Sequence, residues 1–335
     1  MFNFIGEWNP WAAVAALLVG FVFLVKGADF FVEGSSSVAK RLKVPSIIIG
    51  LTIVAMGTSL PEAAVSITAS LQGANSLAIS NAIGSNIFNL MVVIGVCVVL
   101  TPVAVQRVTI KRDIPFSVIC ALLLLGLGVW GMTLGHIDGI VLLVLFAGFI
   151  GVMIRSALRA SKSGQAVEDE SVEAAEGIEI LPVWKCLLFI IGGGAAIAIG
   201  GDVVVESARN IAGAVGMDDT LIGLTVVSIG TSLPELVTSI VAAKKKEVDM
   251  ALGNAIGSNI FNILFVLGLA GAISPVGFIV ENIIDIVILL VFSLVVWLLA
   301  FTKKKLTKGE GFLMVFLYVA YVVYIVMRNY HIWIF

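Results

Sequence analysis

Asn81-Ala82-Ile83-Gly84-Ser85-Asn86-Ile87-Phe88-Asn89 occurs twice in this chain: the same nine residues return, unchanged, as Asn254 to Asn262. A second motif, Gly57-Thr58-Ser59-Leu60-Pro61-Glu62, returns as Gly230 to Glu235. Both copies are offset by 173 residues, with no gap between them. A chain that duplicates its few polar residues inside apolar stretches is built from two matched halves. In a membrane protein such halves meet at a central binding site.

Composition sets the class. Sixty percent of the residues are hydrophobic and 13% are charged, whereas a soluble domain is about half apolar and a quarter charged. The chain is an integral membrane protein. A net charge of -2 gives no hint of nucleic-acid binding. Cys97, Cys120 and Cys186 all fall in apolar runs, as small packing residues do, and suggest neither a disulfide framework nor a metal cluster. Trp8 and Trp11 precede the first apolar stretch with no Lys or Arg before it, unlike the basic start of a cleaved signal peptide.

A membrane span needs about 20 apolar residues. Ten stretches qualify: 11–33, 45–71, 77–101, 114–133, 138–156, 183–211, 218–243, 249–273, 283–302 and 309–328. The expected fold is an all-α integral membrane protein of ten transmembrane helices. Residues 1–160 would form a first five-helix repeat, with its motif region at 50–95. An acidic cytoplasmic linker would cover 161–182, and a second, inverted five-helix repeat 183–335, with its motif region at 223–268. Of the 20 Lys and Arg residues, 17 fall in the loops after odd-numbered spans, counting Arg155 and Lys185 at the very ends of the spans that flank one of them. By the positive-inside rule those loops face the cytoplasm, and both termini lie outside. The motif copies are five spans apart. Five is odd, so the copies point in opposite directions across the membrane. The loop Gln72-Gly73-Ala74-Asn75 is uncharged and its counterpart begins Lys244-Lys245-Lys246, as equivalent loops on opposite sides should differ.

Within each half the chemistry lies on two consecutive spans. Thr58 and Glu62 are four residues apart and share a helix face, as do Ser85 and Asn89. Thr231 with Glu235, and Ser258 with Asn262, repeat the pattern. Hydroxyl, amide and carboxylate oxygens suit hard cations such as Na⁺ and Ca²⁺. Pro61 and Pro234 lack the N–H that would bond the carbonyls of Gly57 and Gly230. A bare carbonyl in lipid must face protein or a wet cavity, so a broken helix beside a carboxylate is a plausible cation site. No basic residue in these spans can pair with Glu62 or Glu235. Each carboxylate is therefore either protonated or neutralised by a cation. Two carboxylates balance one Ca²⁺ or share several Na⁺. The Gly-Ser pairs at 84–85 and 257–258, taken alone, read equally well as packing surface.

These motifs resemble the alpha-repeats of the calcium/cation antiporter superfamily, in particular the prokaryotic sodium/calcium exchangers. The matching stretches are GTSLPE at 57–62 and 230–235, and GSNIFN at 84–89 and 257–262. The resemblance implies a transporter and not an enzyme, working by alternating access, with Na⁺ entering and driving Ca²⁺ out. It implies no cofactor, only Ca²⁺ and Na⁺ as transported ions. Partners would be the lipid bilayer alone, with no nucleic acid and no obligatory protein. The expected setting is the plasma membrane, crossed many times. The implied ligands are Thr58, Ser59, Glu62, Ser85 and Asn89 with Thr231, Ser232, Glu235, Ser258 and Asn262, completed by the backbone carbonyls of Ala55 and Ser228. Asn262 stands where well-studied prokaryotic exchangers and potassium-dependent relatives have Asp. That departure argues against potassium co-transport, leaves Asn89 facing Asn262, and bears on stoichiometry.

Other functions compete. Two titratable glutamates would also suffice for a proton-coupled calcium or cation antiporter, and an exchanger of another divalent cation is the companion alternative. An intramembrane hydrolase is disfavoured, because no His or Lys base stands beside Ser59 or Ser85. The acidic run Glu168, Asp169, Glu170, Glu173, Glu176 and Glu179 lacks EF-hand spacing and reads as a solvated linker. Asp29 with Asp202, and Glu33 with Glu206, also repeat at 173 and read as interfacial charges near helix ends. Gly192-Gly193-Gly194 reads as a helix-packing surface.

Overall fold

A computed structural model describes residues 10–71, 75–163, 180–214 and 228–329. The chain is almost entirely helical. Its helices are α1 (Pro10–Leu42), α2 (Ser46–Thr58), α3 (Leu60–Leu71), α4 (Ala78–Leu100), α5 (Thr109–Gly131) and α6 (His136–Ser163). The second half supplies α7 (Val183–Ala214), α8 (Ser228–Thr231), α9 (Leu233–Lys244), α10 (Val248–Ile273), α11 (Val280–Lys303) and α12 (Lys308–Asn329). Among the described residues, eight helices are long and apolar enough to cross a membrane. The bent pair α2–α3 makes a ninth crossing. The tenth expected stretch, 218–243, is described only from Ser228 onward, and the acidic run at 168–179 lies outside the described residues.

The breaks follow from proline. α2 and α3 meet at 47°, at Ser59 (φ -86°, ψ 8°). Ser232, between α8 and α9, has nearly the same dihedrals (φ -95°, ψ 6°). Both precede by two residues a proline that cannot complete the helical ladder. Prolines also stop the two inner helices. Thr101 and Ser274 are pushed into extended conformation (φ -140° and -146°) by Pro102 and Pro275, because a residue before proline avoids the α region.

Each stop leads into a two-residue strand. β1 (Val103–Ala104) pairs antiparallel with β4 (Lys305–Leu306), and β2 (Thr133–Leu134) with β3 (Val276–Gly277). The 173-residue offset carries Val103 onto Val276 and Thr133 onto Leu306. It therefore exchanges the two strand pairs. Those pairs sit at opposite ends of α5, which runs from β1 to β2. An operation that exchanges the ends of the bundle is a two-fold axis across the helices, so the halves are inverted relative to one another. The topology inferred by counting spans is thus present in the backbone pairing.

α4 and α10 form the centre. Their apolar windows are 72% and 78% buried, against 22–28% for α1, α6, α7 and α12, which present apolar surface outward, toward lipid. Glycines set the spacing. α1 crosses α7 with Gly27 against Gly193, α4 crosses α12 at Gly95 and Gly311, and α10 crosses α6 at Gly268 and Gly139. The inner helix of each half thus packs on the last helix of the other. Small residues at such crossings let backbones approach and gain dispersion contact, the main attraction between helices in lipid.

Several boundaries moved from the sequence expectation, two of them with a clear physical cause. α1 continues to Leu42, not 33, because Ser35, Ser36 and Ser37 are wholly buried and the helix runs through them as a packing surface. Asp29 and Glu33 consequently sit inside the helix and not near its end. Lys245 reaches across to them, its Nζ 2.7 Å from Asp29 Oδ1 and 3.5 Å from Glu33 Oε2. α5 begins at Thr109, through a π-helical turn containing Lys111 and Arg112. Arg112 pairs with Asp113 at 2.7 Å and donates to Ser156 Oγ at 3.0 Å, so its charge is met within the bundle.

A methyl group on Gly139 would sit 2.6 Å from the Gly268 carbonyl oxygen, whereas one on Gly148 would meet nothing within 4 Å. Gly139→Val should therefore lower the melting temperature in detergent, with an overpacking cost of about 1–3 kcal/mol. Gly148→Val should leave it unchanged. Equal melting temperatures would remove the glycine crossing as a determinant of stability.

Candidate cation site

The broken helices and the inner helices bring both motif copies to one place. Thr58, Ser59, Glu62, Ser85, Asn89, Ser232, Glu235, Ser258 and Asn262 are all buried to 2% exposure or less, and Thr231 to 8%. They lie in the protein interior, where an unpaired polar group is costly.

Hydrogen bonds cross between the halves. Ser59 donates to Glu235 Oε1 at 2.7 Å. Reciprocally, Ser232 donates to Glu62 Oε1 at 3.3 Å, and its oxygen lies 3.0 Å from Ser85 Oγ. The serine at each helix break thus holds the carboxylate of the opposite half. Thr58 Oγ1 is 3.1 Å from Asn254 Oδ1.

A supporting layer repeats at the same offset. Asn81 Nδ2 lies 3.0 Å from Ser66 Oγ and 3.5 Å from the Glu62 carbonyl. Asn254 Nδ2 lies 2.9 Å from Ser239 Oγ and 3.3 Å from the Glu235 carbonyl. Each of these asparagines ties an inner helix to the glutamate-bearing helix of its own half. The second asparagines also interlock. Asn89 Nδ2 donates to Asn259 Oδ1 and Asn262 Nδ2 to Asn86 Oδ1, both at 3.1 Å. A π-helical turn begins at each of Asn89 and Asn262. Such turns are frequent at functional sites.

The oxygens left over define the site's chemistry. Among the described residues nine side-chain oxygens are buried without a hydrogen-bond partner: Ser35 Oγ, Asp113 Oδ2, Ser207 Oγ and Thr238 Oγ1 lie off the doubled motifs, and Glu62 Oε2, Glu235 Oε2, Asn89 Oδ1, Asn262 Oδ1 and Ser258 Oγ lie on them. Such orphans are few in native proteins and call for an explanation. Of the five on the motifs, four are pure acceptors in this setting. Among the described residues, the ion pairs are Arg112–Asp113, Lys245 with Asp29 and Glu33, Lys303–Glu310, and Arg328–Asp285. None reaches Glu62 or Glu235. An acceptor-rich, oxygen-only set containing two carboxylates fits a hard cation.

The two expected backbone ligands, the carbonyls of Ala55 and Ser228, stand at matching positions before the helix breaks. The Ala55 carbonyl already accepts from Ser59 N at 3.1 Å and lies 3.4 Å from Thr58 Oγ1. Ser228 opens α8 at the matching backbone position, and its side chain lies outside the described residues. Asn89 gives its NH₂ to Asn259, and Asn262 gives its NH₂ to Asn86. Asn81, Asn86, Ser66 and their counterparts Asn254, Asn259 and Ser239 were absent from the expected set. Their signal was the repetition itself, since every one of them recurs at 173 residues. The i, i+4 spacing selected a single face and passed them over.

The family model for the sodium/calcium exchanger protein matches residues 12–155 and 185–327. The chain belongs to this family, whose members are transporters of Na⁺ and Ca²⁺. Among its relatives, the sodium/calcium exchanger MaX1 of Methanosarcina acetivorans is 33% identical over 341 residues, 92% of this chain and 96% of that one. The inner membrane protein YrbG of Escherichia coli is 33% identical over 294 residues, 85% and 89% of the two chains. A solved structure of the sodium-calcium exchanger NCX_Mj, soaked with 2.5 mM Na⁺ and 10 mM Sr²⁺, superposes with a TM-score of 0.80 at 32% identity. It covers 94% of this chain and 99% of that chain.

Asn254 holds three groups at once: Thr58, Ser239 and the Glu235 backbone. Asn254→Ala should cost about 1–3 kcal/mol through the buried partners it strands, read as a lower melting temperature. Ser161→Ala, on the exposed last turn of α6, serves as a control with no expected change. An undiminished melting temperature for Asn254→Ala would show that these bonds do not support the site.

Proposed function

We propose that this chain is a secondary antiporter that exchanges Na⁺ for Ca²⁺ by alternating access, the two ions competing for one site built around Glu62 and Glu235. The observation that carries this reading is that the doubled motifs hold five buried oxygens without hydrogen-bond partners, two of them carboxylate oxygens from opposite halves. The solved NCX_Mj structures, soaked with Na⁺ together with Sr²⁺ or Ca²⁺, support it from a relative.

Charge balance supplies the exchange. Two carboxylates carry -2, which one Ca²⁺ neutralises alone and Na⁺ neutralises only in numbers. Ions of either kind take the same oxygens, so occupancy by one excludes the other. The ligands are Thr58, Ser59, Glu62, Ser85 and Asn89 with Thr231, Ser232, Glu235, Ser258 and Asn262, and the carbonyls of Ala55 and Ser228 are the backbone contributors. With the site empty and both glutamates charged, the centre of the bundle holds two uncompensated charges, a costly state in lipid. The loaded states are therefore the ones that can reorganise, and this couples the two fluxes. The breaks at Ser59 and Ser232 are where the backbone can absorb that reorganisation, since hinges are a few residues at element ends.

The direct test is ⁴⁵Ca²⁺ uptake by proteoliposomes preloaded with Na⁺, against potassium- and choline-loaded controls. Uptake should require internal Na⁺. Glu62→Gln and Glu235→Gln should each reduce it at least tenfold, since a lost charged ligand removes more than about 1.4 kcal/mol. Uptake indifferent to Na⁺ but abolished by collapsing a pH gradient would replace sodium coupling with proton coupling.

We also place both termini outside the cell, in the plasma membrane, on the distribution of Lys and Arg. The native cysteines are buried, so single introduced cysteines report cleanly. A cysteine at Lys304 should be shielded from a membrane-impermeant maleimide in intact cells, and one at Ile137 should react. The reverse pattern would invert the topology.

A further inference from the structure

Asn89 and Asn262 each carry a carbonyl oxygen and an NH₂ on one planar amide, and only the oxygen can bind a cation. The surrounding hydrogen bonds decide which end faces the site. Asn86 Nδ2 lies 3.3 Å from the Asn259 backbone carbonyl, and Asn259 Nδ2 lies 3.1 Å from the Asn86 backbone carbonyl. A backbone carbonyl can only accept. Both asparagines must therefore turn NH₂ toward the opposite backbone and leave Oδ1 as an acceptor. Those two oxygens are met by Asn262 and Asn89, at 3.1 Å each. An acceptor needs a donor, so Asn262 and Asn89 must present NH₂ there. Their own Oδ1 atoms are then forced the other way, and these are the two amide oxygens that find no hydrogen-bond partner. Amide orientation is thus fixed by four bonds that start from two backbone carbonyls, and does not depend on how any single amide is drawn.

We propose that Asn86 and Asn259 are positioning residues, a crossed brace that holds the two ligand amides with their oxygens toward the ions. Asn86 of the first half orients Asn262 of the second, and Asn259 orients Asn89. The proposal rests on the reading of Asn89 and Asn262 as ligands. The brace lies wholly on the inner helices α4 and α10, and its members are buried to 1% exposure or less. It involves none of the broken helices. The site therefore has two kinds of ligand: amides locked between inner helices, and hydroxyls and carboxylates carried on segments that can bend. Groups that orient a ligand commonly matter to affinity nearly as much as the ligand itself.

A brace that only held helices together would also lower stability when cut, so the test reads coupling. ⁴⁵Ca²⁺ dissociation constants are measured on the purified full chain in detergent for Asn262→Ala, Asn86→Ala and the double variant, with melting temperatures alongside. Asn262→Ala should weaken binding tenfold or more. Asn86→Ala should weaken it comparably, and the double variant should be no weaker than Asn262→Ala within about twofold, because the two act as one unit. Losses that multiply in the double variant, or unchanged binding in Asn86→Ala, would overturn the brace while leaving Asn262 a ligand. If Asn262→Ala binds normally while Glu62→Gln does not, the ligand reading of Asn262 falls and the brace falls with it. Should Asn86→Ala not fold, the mirror cycle of Asn259→Ala with Asn89→Ala reads the same coupling through the other half.

Discussion

In hydrocarbon there is no water to complete an unfinished hydrogen bond, and every polar group must find its partner inside the protein. This chain places two carboxylates, six motif asparagines and a row of hydroxyls at its centre, and the architecture answers that constraint. Most of those groups are satisfied, and the central pairs are satisfied across the two-fold axis: serine to the opposite glutamate, asparagine to the opposite asparagine. What remains is a small group of buried oxygens that the protein itself does not partner. That remainder includes two carboxylate oxygens and no soft ligand, the chemistry on which the proposed cation site rests.

The symmetry is close but broken in places that bear on function. Lys245 ties α9 to Asp29 and Glu33 on α1, whereas the position matching Lys245 in the first half is Gln72. Asn282 donates to Ser80 at 3.0 Å, and the counterpart of Ser80 is Gly253, which instead lets α10 approach α2. A strictly symmetric protein would hold its two orientations at equal energy. These one-sided contacts make the two halves inequivalent without involving the residues of the candidate site.

Much of this was legible in the sequence. The hydropathy of the stretches fixed the class, and the exact repeat marks residues that the fold buries together at its centre. The bend at Ser59 followed from Pro61, and the inversion from an odd count of spans. The failures have physical causes. α1 was expected to stop where Gly34-Ser35-Ser36-Ser37 begins, because four small polar residues look like a loop when one cannot see that a neighbouring helix covers them. α5 was expected to start after Arg112, because a charge normally marks the end of a span; here Asp113 and Ser156 receive it. The supporting asparagines went unrecognised because helical periodicity ranks residues along one face, and the bonds of Asn86 and Asn81 run to other segments of the chain. Hydrogen bonds between residues 173 positions apart leave no local trace.

The crossed strand pairs carry a consequence for how the protein is made. β1 is finished only by β4, and the packing surface of α4 is completed by α12, the last of the described helices. The first half therefore enters the membrane with its inner helix exposing serine, asparagine and glutamate to lipid or to the insertion machinery until the second half arrives. A nascent chain in that state is a natural client for retention at the translocon. Truncations that remove α12 should then be degraded as orphans instead of accumulating as half-transporters. The same interlocking that builds one site from two copies denies either copy an independent existence.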